Sequence, residues 1–208
     1  MFYFVKTPGW MKKLFKGRVW EITTAEKNIY LSFDDGPHPG VTGFVLDELK
    51  KYNAKATFFC IGKNVVAYPE VYKRIIEEGH AVGNHTYNHL NGWKTNDGLY
   101  LDNIALAKNY IDSNLYRPPH GRITSFQQRQ LKGDKFKMTT IMWSILSGDF
   151  DISLSPEECL QNVILNAKQG DIVVFHDSEK SKASVVHALP KVLGYFTDEG
   201  YRFEKIVL

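Results

Sequence analysis

The chain is expected to be an α/β protein, a distorted and incomplete (β/α) barrel of about seven parallel strands, TIM-barrel-like. Strand-like and helix-like segments alternate along all 208 residues, with no repeat period and no Pro/Ser-rich linker. That alternation implies parallel strands covered by helices. In addition, Asp34, Asp35, His85, Arg117, Asp149 and His176 fall at or just after the ends of at least five different strand-like runs. A barrel gathers such ends on one face, whereas an open sheet gathers only those beside its crevice.

In chain order, residues 28–33 are a short β-rich run, and residues 42–52 carry Val45, Leu49 and Tyr52 on one helical face. A strand is expected over 56–60, a helix over 69–78 stopped by Gly79, and a short strand over 80–83. A helical pattern covers 97–112, a brief strand 115–117, a helix 124–131 and a strand 138–143. Ser155-Pro156-Glu157-Glu158 opens the next helix with a cap serine, a proline at the first helical position and a glutamate three residues after the cap. Residues 171–176 are a buried, β-branched strand, 185–196 a helix with a kink or restart at Pro190, and 201–207 a closing strand. Residues 1–27 are expected to be an extension packed on a single domain formed by 28–208.

Length and composition suit one packed soluble domain: 43% hydrophobic, 13% aromatic, net charge +3. Lys and Arg are mixed with Asp and Glu, which leaves no nucleic-acid footprint. One basic cluster, Lys12, Lys13, Lys16 and Arg18, is read as a solvated face, with contact to an anionic polymer or membrane surface as the alternative. Cys60 and Cys159 make no disulfide framework and read as buried apolar fillers. The apolar start is too short for a signal-peptide core and its charge order is wrong. No stretch approaches the roughly 18 apolar residues of a spanning helix. From sequence alone the chain reads as soluble and unexported.

Four short stretches carry chemistry. Phe33-Asp34-Asp35-Gly36-Pro37 ends the first strand, and His85-Thr86-Tyr87-Asn88-His89 supplies two imidazoles four residues apart. One carboxylate and two imidazoles are enough to hold a divalent metal with an open position for water. The second carboxylate is then free to act as a base, and spacing does not say which aspartate does which. Arg117-Pro118-Pro119-His120-Gly121 is a stiff loop carrying a guanidinium that can hold a carboxylate ionised. Val173-Val174-Phe175-His176-Asp177 places a histidine with a carboxylate near it at a strand end, suited to general-acid work.

Taken together these stretches resemble the polysaccharide deacetylases with a NodB-homology domain, carbohydrate esterase family four, from about residue 28 onward. The resemblance implies Asp34 as catalytic base, with Asp35, His85 and His89 as metal ligands and Thr86 as a brace of their loop. It implies that Arg117 orients the base, that the backbone N–H of His120 helps bind the oxyanion, and that His176 is the general acid. Trp143 to Phe150 resembles the fourth family motif, with Asp149 pairing either the arginine or the catalytic histidine. The chain departs from the family at His120, where a tyrosine is common, at Leu146 for a frequent aspartate, at Phe150 for a tryptophan and at Val174 for a leucine. These departures bear on the cleft wall and so on the substrate.

The implied activity is metal-dependent removal of N-acetyl groups from an N-acetylated oligo- or polysaccharide. Zn²⁺ suits a mixed Asp/His site, and Co²⁺ or Ni²⁺ could substitute. The alternatives are an O-acetyl esterase on a glycan such as xylan, an amidase on small nitrogen-containing rings, and a catalytically silent glycan-binding module. Outside the motifs, Trp93 is a candidate sugar-stacking residue, His38 a candidate at the edge of the site, His80 a structural residue and His187 a surface or packing residue. Neither the native metal nor the oligomeric state is legible in the sequence.

Overall fold

The computed structural model of the protein describes residues 3–208. Its elements run α1 (Gly9–Leu14), β1 (Asn28–Asp34), α2 (Pro39–Lys51), β2 (Thr57–Cys60), α3 (Gly62–Ala67), α4 (Pro69–Glu77), β3 (Ala81–Asn84) and α5 (Asp97–Lys108). They continue with β4 (Leu115–Tyr116), α6 (Ser125–Lys132), β5 (Thr139–Thr140), β6 (Ile145–Leu146), α7 (Pro156–Ile164), β7 (Ile172–His176), α8 (Lys182–Asp198) and β8 (Arg202–Phe203). Seven parallel strands lie in the order β5-β4-β3-β2-β1-β7-β6, and β8 pairs with the start of β1. The result is the expected half-barrel with helices around it.

β1 is buried at all seven positions, as a central parallel strand covered on both faces must be. α2 lays Val41, Val45, Leu46 and Leu49 against this sheet. Three helices start where the chain offers a cap. Asn96 accepts from Gly98 N–H ahead of α5, while Thr124 with Gln127 and Ser155 with Glu158 form capping boxes ahead of α6 and α7. No helix of the described residues is long and apolar enough to cross a membrane.

The curvature of the sheet follows from its connectivity. β5 and β6 end the strand order on opposite sides, yet only residues 141–144 join them, a reach of at most about 18 Å. The two edges must therefore turn toward each other, which splits the strand expected over 138–143. The N-terminal segment occupies the split. Leu146 N–H donates to Val5 O and Thr7 N–H to Ser144 O, both at 2.8 Å, and Met142 N–H donates to Val19 O at 2.7 Å.

Other expectations shift as well. The closing strand contracts to β8, because only Asn28 and Ile29 of β1 are open to it. α8 runs through Pro190 as one helix. α1 and α3, six residues each, are too short to show a helical period.

Candidate active site

Because every strand of the half-barrel points the same way, the loops after β1, β3, β4, β6 and β7 meet at one mouth. The loop after β1 brings Asp35, with φ 79°, against the loop after β3, where Thr86 and His89 have φ 63° and 57°. Backbone in this region is strained for residues with a side chain, and here it is held by specific bonds. Asn64 donates to Asp35 O (2.8 Å), Thr86 N–H donates to Asn84 Oδ1 (2.8 Å), and Thr86 Oγ1 accepts from Leu90 N–H (3.2 Å).

The ligand atoms of Asp35, His85 and His89 all lie within 4.8 Å of one another. His89 Nε2 is 3.1 Å and His85 Nε2 3.6 Å from Asp35 Oδ1. His85 Nδ1–H donates to Arg117 O at 2.8 Å, which fixes the tautomer and turns the lone pair of Nε2 toward the other two ligand atoms. Asp35 Oδ1 is buried and makes no hydrogen bond within the protein. A buried acceptor without a donor and an imidazole nitrogen held with its lone pair inward suit a divalent cation. Burial pushes His85 down to about 4, helped by neighbouring His89, so it is neutral and available as a ligand. Burial alone would raise the Asp35 carboxyl. The adjacent His89 imidazole and the nearby histidine charges outweigh it and hold the carboxyl well below the usual range.

Two ion pairs flank this triplet. Arg117 is fully buried, and its Nη1 donates to Asp34 Oδ1 at 2.7 Å and to Ser32 Oγ at 2.8 Å. Its Nη2 donates to Met142 O at 2.9 Å, and its guanidinium lies 4.0 Å from the centre of the Phe59 ring. On the other side, Asp149 accepts from both His176 Nδ1–H (2.8 Å) and His176 N–H (2.6 Å). Asp149 thus pairs the histidine and not the arginine. Burial would lower the His176 imidazole, but the Asp149 charge and hydrogen bond, with Asp35 and Asp34 behind them, push it up to about 10. Asp34 and His176 are direct neighbours in the β1–β7 register.

His120 sits at φ 57° in a 3₁₀ turn, exposed, with its ring edge-on to His89 at 4.6 Å. The ring of Phe150 stands 5.2 Å from that of His176 and 5.1 Å from that of Tyr3, so the N-terminal segment reaches the cleft wall. Leu146 is buried in β6 opposite Val174. Trp93 is 58% exposed, its Nε1–H donates to Ile123 O, and one face is covered by Arg122 at 4.1 Å. His38 stands 3.8 Å from Glu179. His80 accepts from Ala56 N–H, and His187 meets Glu157 on the surface.

Asp177 has a part that the sequence reading did not assign. It is fully buried, points away from His176, and accepts from Gly36 N–H (2.9 Å) and Thr42 Oγ1–H (2.5 Å). A Cβ on Gly36 would stand 2.0 Å from its Oδ2. Asp177 therefore grips the turn that carries Asp35. The signal available was the alternation of side chains at a strand end, which forbids neighbouring residues 176 and 177 from facing the same way.

The family model described as polysaccharide deacetylase matches residues 21–137. A peptidoglycan-N-acetylglucosamine deacetylase of Bacillus cereus is 37% identical, over 88% of each chain. The peptidoglycan-N-acetylglucosamine deacetylase PgdA of Listeria monocytogenes is 34% identical over 91% of this chain, which spans 40% of that longer protein. The crystal structure of a peptidoglycan N-acetylglucosamine deacetylase in complex with 4-naphthalen-1-yl-N-oxidanyl-benzamide superposes with a TM-score of 0.86 at 30% identity, covering 96% of this chain and 95% of that one. The chain belongs to the polysaccharide deacetylase family.

Proposed function

We propose that the protein is a metal-dependent hydrolase that removes N-acetyl groups from an N-acetylated glycan, with peptidoglycan-type N-acetylglucosamine as the first substrate to test. The observation that carries this is a metal-binding triplet set between two oppositely wired ion pairs: a carboxylate held by a cation on one side, an imidazole held by a carboxylate on the other. The named activities of the relatives favour the same substrate class.

Asp35, His85 and His89 would hold the metal, Zn²⁺ by the chemistry of the donor set, with Co²⁺ or Ni²⁺ as substitutes. When bound, it would polarise the acetamide carbonyl and lower the pKa of water. Asp34, with Oδ1 tied to Arg117, keeps its other oxygen to take a proton from the attacking water. The backbone N–H of His120 donates to the developing oxyanion. His176, protonated and bonded through Nδ1 to Asp149, gives the proton on Nε2 to the departing amine, and acetate leaves from the carbonyl side. A glycan-binding module without turnover would need neither ion pair.

The test is acetate release from N-acetylglucosamine oligomers by the zinc-loaded protein, with acetylated xylan as the comparison. Asp34→Asn is expected to lower kcat by about 10²–10⁴-fold while bound zinc per chain stays unchanged. Near-normal turnover by that variant would remove the base assignment. Faster release from acetylated xylan than from the N-acetylated oligomers would turn the reading into that of an esterase.

A further inference from the structure

The pole of the half-barrel opposite the catalytic mouth carries a marked excess of positive over negative side chains. Residues 10–18 contain four Lys or Arg and no acid, and residues 129–139 contain four with one acid, Asp134. These two short stretches hold eight of the 26 basic side chains and one of the 23 acidic ones, so the rest of the chain has 18 basic against 22 acidic. The fold brings the stretches together: Gln128 Nε2–H donates to Gly17 O at 3.3 Å, Arg18 donates to Gln128 Oε1 at 2.8 Å, and Val19 N–H donates to Thr140 O at 2.9 Å. A shallow depression of about 420 Å³ between them is lined by Gly17, Lys132, Lys137, Met138 and Thr139.

This basic face also carries apolar side chains in the open. Trp10 and Leu14 are one turn apart on α1 and 59% and 66% exposed, and α1 buries none of its residues. Lys13 and Lys16, both exposed, neighbour them in the chain, and the exposed Lys132 and Lys137 line the depression beside Gly17. Two of the basic groups are engaged within the protein, Lys12 with Glu21 and Arg18 with Gln128 and the Phe15 ring. A purely solvated face has no use for an exposed indole and leucine set among lysines. An anionic polymer would need the lysines alone. The combination of a short apolar ridge with cations around it matches the boundary of a membrane, where indoles sit at headgroup level and lysines meet acidic lipid.

We propose that this face docks the protein on an anionic lipid surface, with Trp10 and Leu14 entering the headgroup layer and the depression beside Lys132 and Lys137 receiving an acidic headgroup. The strands run from that pole to the mouth, so a molecule docked this way presents Asp35, His85 and His89 away from the lipid, toward a polymer lying outside it.

The experiment is co-sedimentation of the full chain with vesicles of phosphatidylcholine alone and of phosphatidylcholine with phosphatidylglycerol at 7:3, in 0.05 M and 0.5 M NaCl. Binding is expected to the acidic vesicles only and to weaken at the higher salt. Neutralising Lys13, Lys16, Lys132 and Lys137 together to Gln is expected to lower the partition coefficient on the order of a hundredfold or more, about fivefold per lysine. Trp10→Ser with Leu14→Ser is expected to reduce vesicle binding while leaving retention on a soluble polyanion, polyglutamate, unchanged. Acetate release from a soluble oligosaccharide should be the same in all variants, which keeps this test separate from that of the catalytic reading. Failure of the wild-type chain to sediment with acidic vesicles at low salt would overturn the proposal. Vesicle binding indifferent to Trp10 and Leu14 would overturn it too, and would assign the face to an anionic polymer.

Discussion

The two sides of the sheet are held together by different means. Around β1, the strands β2, β7 and β3 pair over three to five residues each, and β2 and β7 carry mostly aromatic or β-branched side chains. Phe33, Phe58 and Phe175 stack across this region with ring centres 5.1 and 6.1 Å apart. On the far side, β4, β5 and β6 have two residues each and pair over only one or two positions. There a fully buried guanidinium supplements the short pairings: Arg117 joins the carbonyls of Ile141 and Met142 to Ser32 and Asp34 of β1. The sheet side is held by many small contacts, and the split side by short pairings, the N-terminal segment and one buried cation that reaches Asp34.

The sharpest way to break that contrast is to remove the cation. Arg117→Met leaves Asp34 buried without a partner and is expected to cost about 3–5 kcal/mol in chemical denaturation, with turnover lost in the same protein. If the stability loss were under about 1 kcal/mol, the split side would be held by the N-terminal segment instead.

The sheet side has its own titrating group. His80 is buried at the start of β3 and pushed down to about 4 by burial, with Lys55 adding to the effect. Its folded pKa lies below the unfolded value of 6.5, so the folded state binds fewer protons between the two. Stability is therefore full above pH 6.5 and falls as pH drops toward 4, by about 3 kcal/mol. In the metal-free protein His85, likewise held near 4, adds a slope of the same sign, so the share of His80 is the difference in urea midpoints between the wild type and His80→Gln across that window.

Asp177→Ala tests the grip on the metal loop. Zinc affinity, measured by competition with a chelator, is expected to fall about 10–100-fold, and the metal-free protein to lose about 1–3 kcal/mol because Gly36 N–H and the Thr42 hydroxyl are left unpaired. An unchanged affinity would reduce Asp177 to packing. The smallest effect is expected at Phe33→Leu, about 1 kcal/mol with normal turnover, because its neighbours share the load. A large loss of activity there would show that the two sides are not separable.

The same contrast explains what the sequence disclosed. Elements of the sheet side, β1, β2 and β7 with α2 and α4, were legible because each strand or helix is long enough to show its own period. The split side was not, since residues 138–143 have the composition of one strand while the fold bends them away to meet Arg117 and Val19. In the site, the spacing of His85 and His89 and the pairing of Asp34 with Asp35 announced a triplet able to hold a metal. The resemblance left open whether Asp149 serves the arginine or the histidine, a choice that depends on where the loop after β6 turns. The hold of Asp177 on Gly36 was invisible because the contact joins the two ends of the chain.

The register of β1 against β7 also has a temporal side. Asp34 comes early in the chain and His176 late, yet the two face each other as adjacent rungs. Pairings between distant stretches form slowly, and a ribosome delivers the early half first. A growing chain therefore has Asp34 and the loop of His85 and His89 in hand well before His176 arrives. The proposed hydrolytic centre is complete only once β7 has been made and has paired with β1.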